Sequence, residues 1–291
     1  MSTPSTLLSA TDPGAFAAMP WVQRLPVWAV RALLALFDKV ISFLLCPKLN
    51  EFRATVTLPP VRSIRQWMNS PERVICAFPA WFAAPQADWP ANTVCATFPR
   101  LAAAADETLS EELLSFLNAG PPPIAFTPGS ANAHGRLFFE RALAATEMLG
   151  MRAVLVTRYR DQLPDELPSW VHYEPYAPYD LLAPRVAAFV HHGGIGTSAT
   201  ALAAGTPQLI TPFSFDQPDN AARLKKLGIG DSVALNASGA KWARALSGLL
   251  NEPKVSEACD KIAARMALEE PAQEQIAKWI EKLSANEFTV A

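Results

Sequence analysis

From Pro123 to the C-terminal end of the chain, short apolar runs alternate with stretches of helical periodicity, and this alternation constrains the fold most. Ile124–Thr127, Ala153–Thr157, Val171–Tyr176, Ala187–His191, Gln208–Thr211 and Ser232–Leu235 read as short strands. Between the first two, Gly135–Leu149 places Leu137, Phe138, Ala142, Ala145 and Met148 at helical spacing, with Gly150 just past the end. Ser198–Ala204, stopped by Gly205, and Asn220–Leu227 read as further helices. Three more occupy 239–250, 254–269 and 272–284. Strands alternating with helices predict an α/β, doubly wound parallel sheet. In such sheets ligands bind beyond the carboxyl ends of the strands.

The first 118 residues have a different texture, rich in Pro, Trp and Phe. A long helical stretch over 21–46 and a shorter one around Val61–Met68 precede two short apolar runs, Arg73–Phe78 and Thr93–Phe98. Trp81–Pro90 between those runs is a loop, and an acidic helix, Glu107–Asn118, follows. Gly120-Pro121-Pro122-Pro123 is stiff and extended, which predicts a domain boundary there. The expected organisation is therefore a partial N-terminal domain over 1–119, a ligand-binding domain over 120–270, and a helix and tail over 271–291.

Half of the 291 residues are hydrophobic and 18% are charged, enough apolar material for a sizeable core. The formal net charge of -2 carries no basic footprint for nucleic acid, so no nucleic-acid partner is expected. Cys46, Cys76, Cys95 and Cys259 form no CxxC pair and read as reduced structural thiols of a cytoplasmic protein. The first twenty residues are small and polar, without the pattern of a signal peptide. Leu25–Cys46 is the most apolar stretch, but Arg31, Asp38 and Lys39 interrupt it. It reads as an amphipathic helix packed within a domain, with contact to a membrane surface as the lesser alternative.

The residues that carry chemistry follow Ala187-Ala188-Phe189-Val190. This strand ends in His191-His192, runs through Gly193, Gly194 and Gly196, and meets Thr197 at the start of a helix. A strand, a glycine-rich turn and a helix N-terminus make an anion site, because glycine admits close backbone approach and the free N–H groups and helix dipole favour negative charge. Thr197 either caps the helix or gives its hydroxyl to a phosphate oxygen. The turn is neither GxGxxG nor a P-loop, so it supports an anion site and nothing narrower.

Beyond the loop the order of motifs becomes specific. His191-His192-Gly193-Gly194-Ile195-Gly196-Thr197, Ala204-Gly205-Thr206-Pro207-Gln208, Pro212-Phe213-Ser214-Phe215-Asp216-Gln217-Pro218, Asn220-Ala221-Ala222-Arg223 and Leu227-Gly228-Ile229-Gly230 occur in that order. With Phe126-Thr127-Pro128-Gly129-Ser130 upstream, they resemble the C-terminal donor domain of the inverting UDP-glycosyltransferases, enzymes of the GT-B fold that act on sterols, flavonoids, antibiotics and rhamnolipids. The resemblance implies that His192, Gly194, Gly196 and Thr197 hold the donor diphosphate, together with Gly129 and Ser130. Helix capping alone also explains Ser130. It implies that Asp216 and Gln217 contact donor-sugar hydroxyls, with an N-cap as the other role open to Asp216. Tyr176 and Ala177 fall where the family stacks a ring on the base and reads its edge, although a core tyrosine fits as well. His134 either faces the diphosphate or acceptor or caps its helix, and His191 is preferred as a support for the loop. No Asp-x-Asp motif is present, so neutralisation by helix dipole, histidine and backbone is expected, without metal or cofactor.

The family's catalytic base is a histidine in a glycine-rich loop near the N-terminus. This chain has no histidine before His134, so the catalytic residue is not identified and about a hundred residues of the usual chain are expected to be absent at the front. Leu49–Arg53 with Leu58-Pro59-Pro60, and Phe78–Pro90, resemble the second half of the family's N-terminal domain. The resulting expectation is transfer of a hexose from a UDP- or dTDP-sugar to a small lipophilic hydroxylated acceptor, with this chain holding the donor. The alternatives are a non-catalytic nucleotide-sugar-binding relative or partner-assisting subunit and, ranked below both, a sugar-nucleotide epimerase.

Overall fold

The computed structural model describes residues 3–19, 21–70, 72–100, 104, 106–129 and 135–287, with side chains to residue 283. Two compact units result, Met1–Phe98 with Glu270–Ala291, and Pro99–Glu269.

The first unit contains α1 (Val27–Thr55), α2 (Ile64–Met68) and two short parallel strands, β1 (Val74–Cys76) and β2 (Thr93–Cys95). The helix predicted at 21–46 starts later and runs longer. Pro26 stands just before its first turn, where the fixed φ and missing N–H cost nothing. Pro47 lies inside it, and the lost bond falls on the solvent side, where Phe43 is 81% exposed. Val30, Leu34 and Cys46 face inward, as does Ser42, whose hydroxyl accepts from the amide of Ile64. Asp38 accepts from the Ser63 hydroxyl at 2.9 Å and the Arg65 amide at 3.0 Å, tying α2 to α1.

The second unit begins with α3 (Glu111–Asn118), capped by the Ser110 hydroxyl, and continues β3 (Ile124–Thr127), α4 (Arg136–Leu149), β4 (Ala153–Val156), β5 (Val171–Glu174) and α5 (Tyr179–Leu182). It ends with β6 (Ala188–His191), α6 (Ile195–Ala203), β7 (Gln208–Ile210), α7 (Gln217–Lys226), β8 (Gly230–Ser232), α8 (Gly239–Asn251) and α9 (Pro253–Ala267). The last helix, α10 (Ala272–Glu287), belongs to the first unit.

All six strands of the second unit are parallel, in the order β5-β4-β3-β6-β7-β8. This is the doubly wound order, reversing direction between β3 and β6. Side chains alternate faces along each strand. Ile124, Phe126, Ala153, Leu155, Ala188 and Val190 meet Phe138, Ala142, Trp242 and Leu246 of α4 and α8. Ala125, Val154, Val156 and Phe189 meet Leu113, Leu117, Leu182 and Ala201 on the opposite face. Gly239 lets α8 approach α4 closely, since a Cβ there would lie 2.8 Å from the Ala144 Cβ.

The expected boundary at 119/120 is displaced to 98/99. Its cause is α3, whose Leu113 and Leu117 are buried against the second unit's sheet. Gly120–Pro123 is no linker: the Pro121 carbonyl accepts from Arg152, and the Pro123 carbonyl from the Ala187 amide. The strand read at Ser232–Leu235 is β8, at Gly230–Ser232, a polar edge strand without an apolar run. Gly230 allows it to close on β7, because a Cβ would sit 2.9 Å from the Gln208 carbonyl oxygen. Among the described residues no helix is long and apolar enough to cross a membrane.

Candidate functional site

The sheet reverses between β3 and β6, and the candidate residues collect at the carboxyl ends of those two strands. His191 closes β6, level with Thr127 of β3. Its imidazole is fully buried. Nδ1 accepts from the Gly193 amide at 3.1 Å, so the proton sits on Nε2, which donates to Gln208 Oε1 at 3.0 Å. Gln208 Nε2 in turn donates to the Ser198 carbonyl at 3.3 Å. Burial, with the neighbouring His192, lowers the His191 pKa to about 3 against the opposing Gln208 bond. His191 is therefore a neutral imidazole whose two ring nitrogens are both taken up, by Gly193 and Gln208.

His192 is placed differently. Its ring lies between two glycines: an ideal Cβ on Gly129 would fall 2.8 Å from Nδ1, and one on Gly194 only 2.5 Å from Nε2. Gly129 also has φ 92°, the left-handed region that glycine adopts without strain. Both glycines thus make room for one imidazole. His192 Nδ1 is buried and has no hydrogen-bond partner among the described residues. Burial lowers its pKa, and the nearby Asp216 carboxylate opposes that shift. The buried side-chain polar atoms left unpartnered include Ser198 Oγ, Thr211 Oγ1 and Asn220 Oδ1 as well, all on elements bordering this loop. Such a concentration calls for a ligand or water to complete it.

The helix after the loop starts three residues earlier than read, at Ile195, with Gly194 at the cap position and no side-chain cap. Thr197 is thus in the first turn and does not cap. The amides of Ile195, Gly196 and Thr197 precede the first intrahelical bond, from the Ser198 amide to the Gly194 carbonyl at 2.9 Å. A Cβ at Gly196 would meet nothing within 4 Å, so open space lies over that turn.

The opposite wall is the loop before α7, which begins at Gln217 because Pro218 suits a first turn. Asp216 occupies the cap position without a capping bond; its Oδ2 accepts from Asn220 Nδ2 at 2.8 Å. The same Nδ2 donates to the Gly193 carbonyl at 2.8 Å, joining the loops across the site. Gln217 Oε1 accepts from the amides of Phe213 and Ser214 at 2.7 and 3.0 Å. That clamp holds a turn whose Phe215 sits at φ 58° and is 92% exposed. With one oxygen of each group committed, Asp216 offers an acceptor and Gln217 a donor to anything bound in front of them.

Sequence reasoning missed Asn220, Gln208 and the strained Phe215. Asn220 was legible only as part of a motif, and the Gln208–His191 contact spans 17 positions. Tyr176 is 65% exposed, which sets aside the reading of a core tyrosine. Its hydroxyl donates to Glu107 Oε1 at 2.7 Å, and that carboxylate pushes the phenol upward. Tyr176 lines a small cleft of about 50 Å³ with Thr127, Gly129, Arg158 and Tyr179. Ala177 is buried beneath it. Ser130 and His134 lie outside the described residues.

Residues 147–283 match the family described as erythromycin biosynthesis protein CIII-like, C-terminal domain. Over this stretch the chain is similar to glycosyltransferases. It is 34% identical over 184 residues to the vancomycin aglycone glucosyltransferase of Amycolatopsis orientalis, covering 62% of this chain and 44% of that protein. It is 41% identical over 121 residues to the O-mycaminosyltylonolide 6-deoxyallosyltransferase of Streptomyces fradiae, covering 41% and 28%. Among solved structures, the glycosyltransferase SnogD from Streptomyces nogalater superposes with a TM-score of 0.56 at 27% identity, covering 71% of this chain and 55% of that one. The glycotransferase of kitacinnamycin gives 0.62 at 22% identity, over 72% and 55%. The fold is GT-B, and the chain spans less than half the length of the curated relatives it matches.

Proposed function

We propose that the second unit holds a nucleoside diphosphate sugar at the β3–β6 switch point and supplies the donor half of a hexosyl transfer. One observation carries this reading: the His192 imidazole, clamped between Gly129 and Gly194 with an unpartnered buried Nδ1, stands beside the free amides opening α6. Imidazole and amides together supply hydrogen-bond donors to phosphate oxygens. Thr197 and Gly196 face the same turn, and Gly129 leads into Ser130. Asp216 accepts from one sugar hydroxyl while Gln217 donates to another, and Tyr176 offers an exposed ring to the base, with the Ala177 backbone beside it.

The donor leaves as a nucleoside diphosphate, and the site stabilises the charge that develops on it. The acceptor hydroxyl must lose its proton to attack the anomeric carbon, inverting it. None of the four histidines, at 134, 172, 191 and 192, precedes the donor domain. Transfer to a small lipophilic hydroxyl acceptor is therefore proposed to use a base that residues 1–291 do not supply. By itself the chain binds donor and turns over weakly or not at all, the behaviour that a non-catalytic relative would share. Turnover lost only on mutating a residue within 1–291 would overturn that part.

Calorimetric titration with UDP and dTDP tests the donor site directly. His192→Ala is expected to weaken binding by about 1.5–3 kcal/mol, the range for a hydrogen bond to a charged group. Unchanged affinity would remove the diphosphate assignment.

A further inference from the structure

Away from the donor site, β1 and β2 run parallel with Cys76 level with Cys95. Partners on adjacent parallel strands project from the same face, with the strands about 4.8 Å apart. That falls inside the Cα separation of about 4.4–6.8 Å that a disulfide bridges. The two sulfurs are in hydrogen-bond contact. Cys76 is buried, as are Cys46 and Cys259, and Cys95 alone among the cysteines is partly exposed.

From this geometry we infer that Cys95 and Cys76 are a site of reversible oxidation, closing to a disulfide on exposure to a hydroperoxide. The Cys95 thiolate attacks the peroxide, the O–O bond breaks, and an S–O bond forms as the first water leaves. Cys76 then attacks the Cys95 sulfenic acid; the S–O bond breaks, an S–S bond forms, and the departing hydroxide takes the Cys76 proton as a second water. Two thiols lose two electrons and two protons, and one hydrogen peroxide becomes two waters. A dithiol reverses the reaction.

The electrostatics agree. The Cys76 contact holds the Cys95 thiol below its usual range against the opposing effect of burial. Burial and Asp260 push Cys259 up to about 12, which keeps it inert. The bond would close at the carboxyl ends of β1 and β2, directly before the aromatic layer. There Phe78 meets Trp89 at 6.1 Å, and Phe98 meets Trp81 at 5.8 Å and Phe82 at 5.1 Å. Indole fluorescence therefore reports the event.

The test is peptide mapping of the intact chain after stoichiometric hydrogen peroxide, with remaining thiols alkylated. The expected result is a peptide joined through Cys76 and Cys95, lighter by two hydrogens, lost with dithiothreitol and accompanied by a reversible change in tryptophan emission. In Cys76→Ser, Cys95 should persist as a sulfenic acid trapped by dimedone. Should that buried variant not fold, Cys95→Ser serves instead: the cross-link disappears and Cys76 stays a thiol. Recovery of Cys95 as sulfinic or sulfonic acid, or bridged to a second chain with Cys76 still alkylatable, overturns the proposal. So does a Cys76 cross-link that survives Cys95→Ser.

Discussion

The two units bury their apolar surface in different ways. In the second, both faces of a six-stranded parallel sheet are covered by the unit's own helices, and Trp242, Phe126, Phe138 and Phe189 are fully buried. In the first, two parallel strands stand beside a helix that is apolar on both sides. Along the outer side of α1, Trp28, Leu36, Val40, Phe43 and Leu44 are 73%, 59%, 48%, 81% and 61% exposed. A helix hydrophobic all round ordinarily lies between two layers, and two strands rarely hold a fold alone. The difference teaches where preorganisation resides. The proposed donor site rests on a sheet that closes without help, whereas the first unit's described residues leave a packing surface open.

The comparison breaks first at Trp242. Its ring meets Phe138 at 5.4 Å edge to face, and its Nε1 donates to the Ala234 carbonyl at 3.3 Å. Trp242→Ala should destabilise the second unit by about 3–5 kcal/mol, the cost of emptying a large aromatic site. Urea unfolding followed by circular dichroism measures the loss, and nucleotide binding should fall with it. A cost below about 1 kcal/mol would mean that the second unit's core is not what holds the site.

The next effect separates housing from binding. A methyl on Gly194 must displace the His192 ring, because the contact at 2.5 Å is with the imidazole itself. Gly194→Ala is expected to cost about 1.5–3 kcal/mol of nucleotide affinity, matching His192→Ala, since both remove the same hydrogen bond. Combined, the two substitutions should cost little more than either alone. Additive losses in this double-mutant cycle would show that Gly194 acts through its own backbone rather than through the histidine.

Much of the second unit was legible because a strand buried on both faces is a short apolar run between breakers. Ile124–Thr127 was read with the bounds it has, and Ala153–Val156 to within one residue. Errors gathered where glycine or proline opens a helix. Gly196 and Pro218 read as loop, so α6 and α7 were each started three residues late, and with them the settings of Thr197 and Gln217. The motifs marked which residues gather at the site. They did not show that His191 is spent on Gln208, or that Asn220 ties Gly193 to Asp216, because those are contacts across the sheet edge and not along the chain. In the first unit, the length of α1 escaped because Pro47 stands where a helix ordinarily ends and the stretch beyond it, Lys48–Thr55, is mostly polar.

Acid sharpens the contrast within the site. His191 stays neutral in the native state down to about 3, whereas an unfolded histidine protonates below 6.5. As pH falls through that window the unfolded state holds one more proton, so the stabilisation present above 6.5 is lost progressively toward 3. At about 1.4 kcal/mol per pH unit, some 2 kcal/mol should vanish between pH 7 and pH 5. The lowered His192 pKa adds in the same direction. Urea midpoints at the two pH values measure it. His191→Asn, which retains an acceptor for the Gly193 amide, should start less stable but lose less on acidification. An unchanged slope in that variant would assign the acid sensitivity to other groups.

The smallest effect on stability should come from the open face of the first unit, where it is also the most diagnostic. Leu36→Glu with Phe43→Glu places charge on side chains that already meet solvent, so the unfolding free energy should move by no more than about 0.5 kcal/mol. Self-association and binding of an apolar dye should fall sharply, because exposed apolar patches of more than a few hundred Å² drive both. Sedimentation velocity and dye fluorescence on the same samples read the two outcomes together. If the pair instead destabilises the chain by several kcal/mol, that face is packed in solution and α1 is not an open surface. If stability holds and association persists, the adhesive surface lies elsewhere, and the contrast between a closed and an open unit fails at its outer edge.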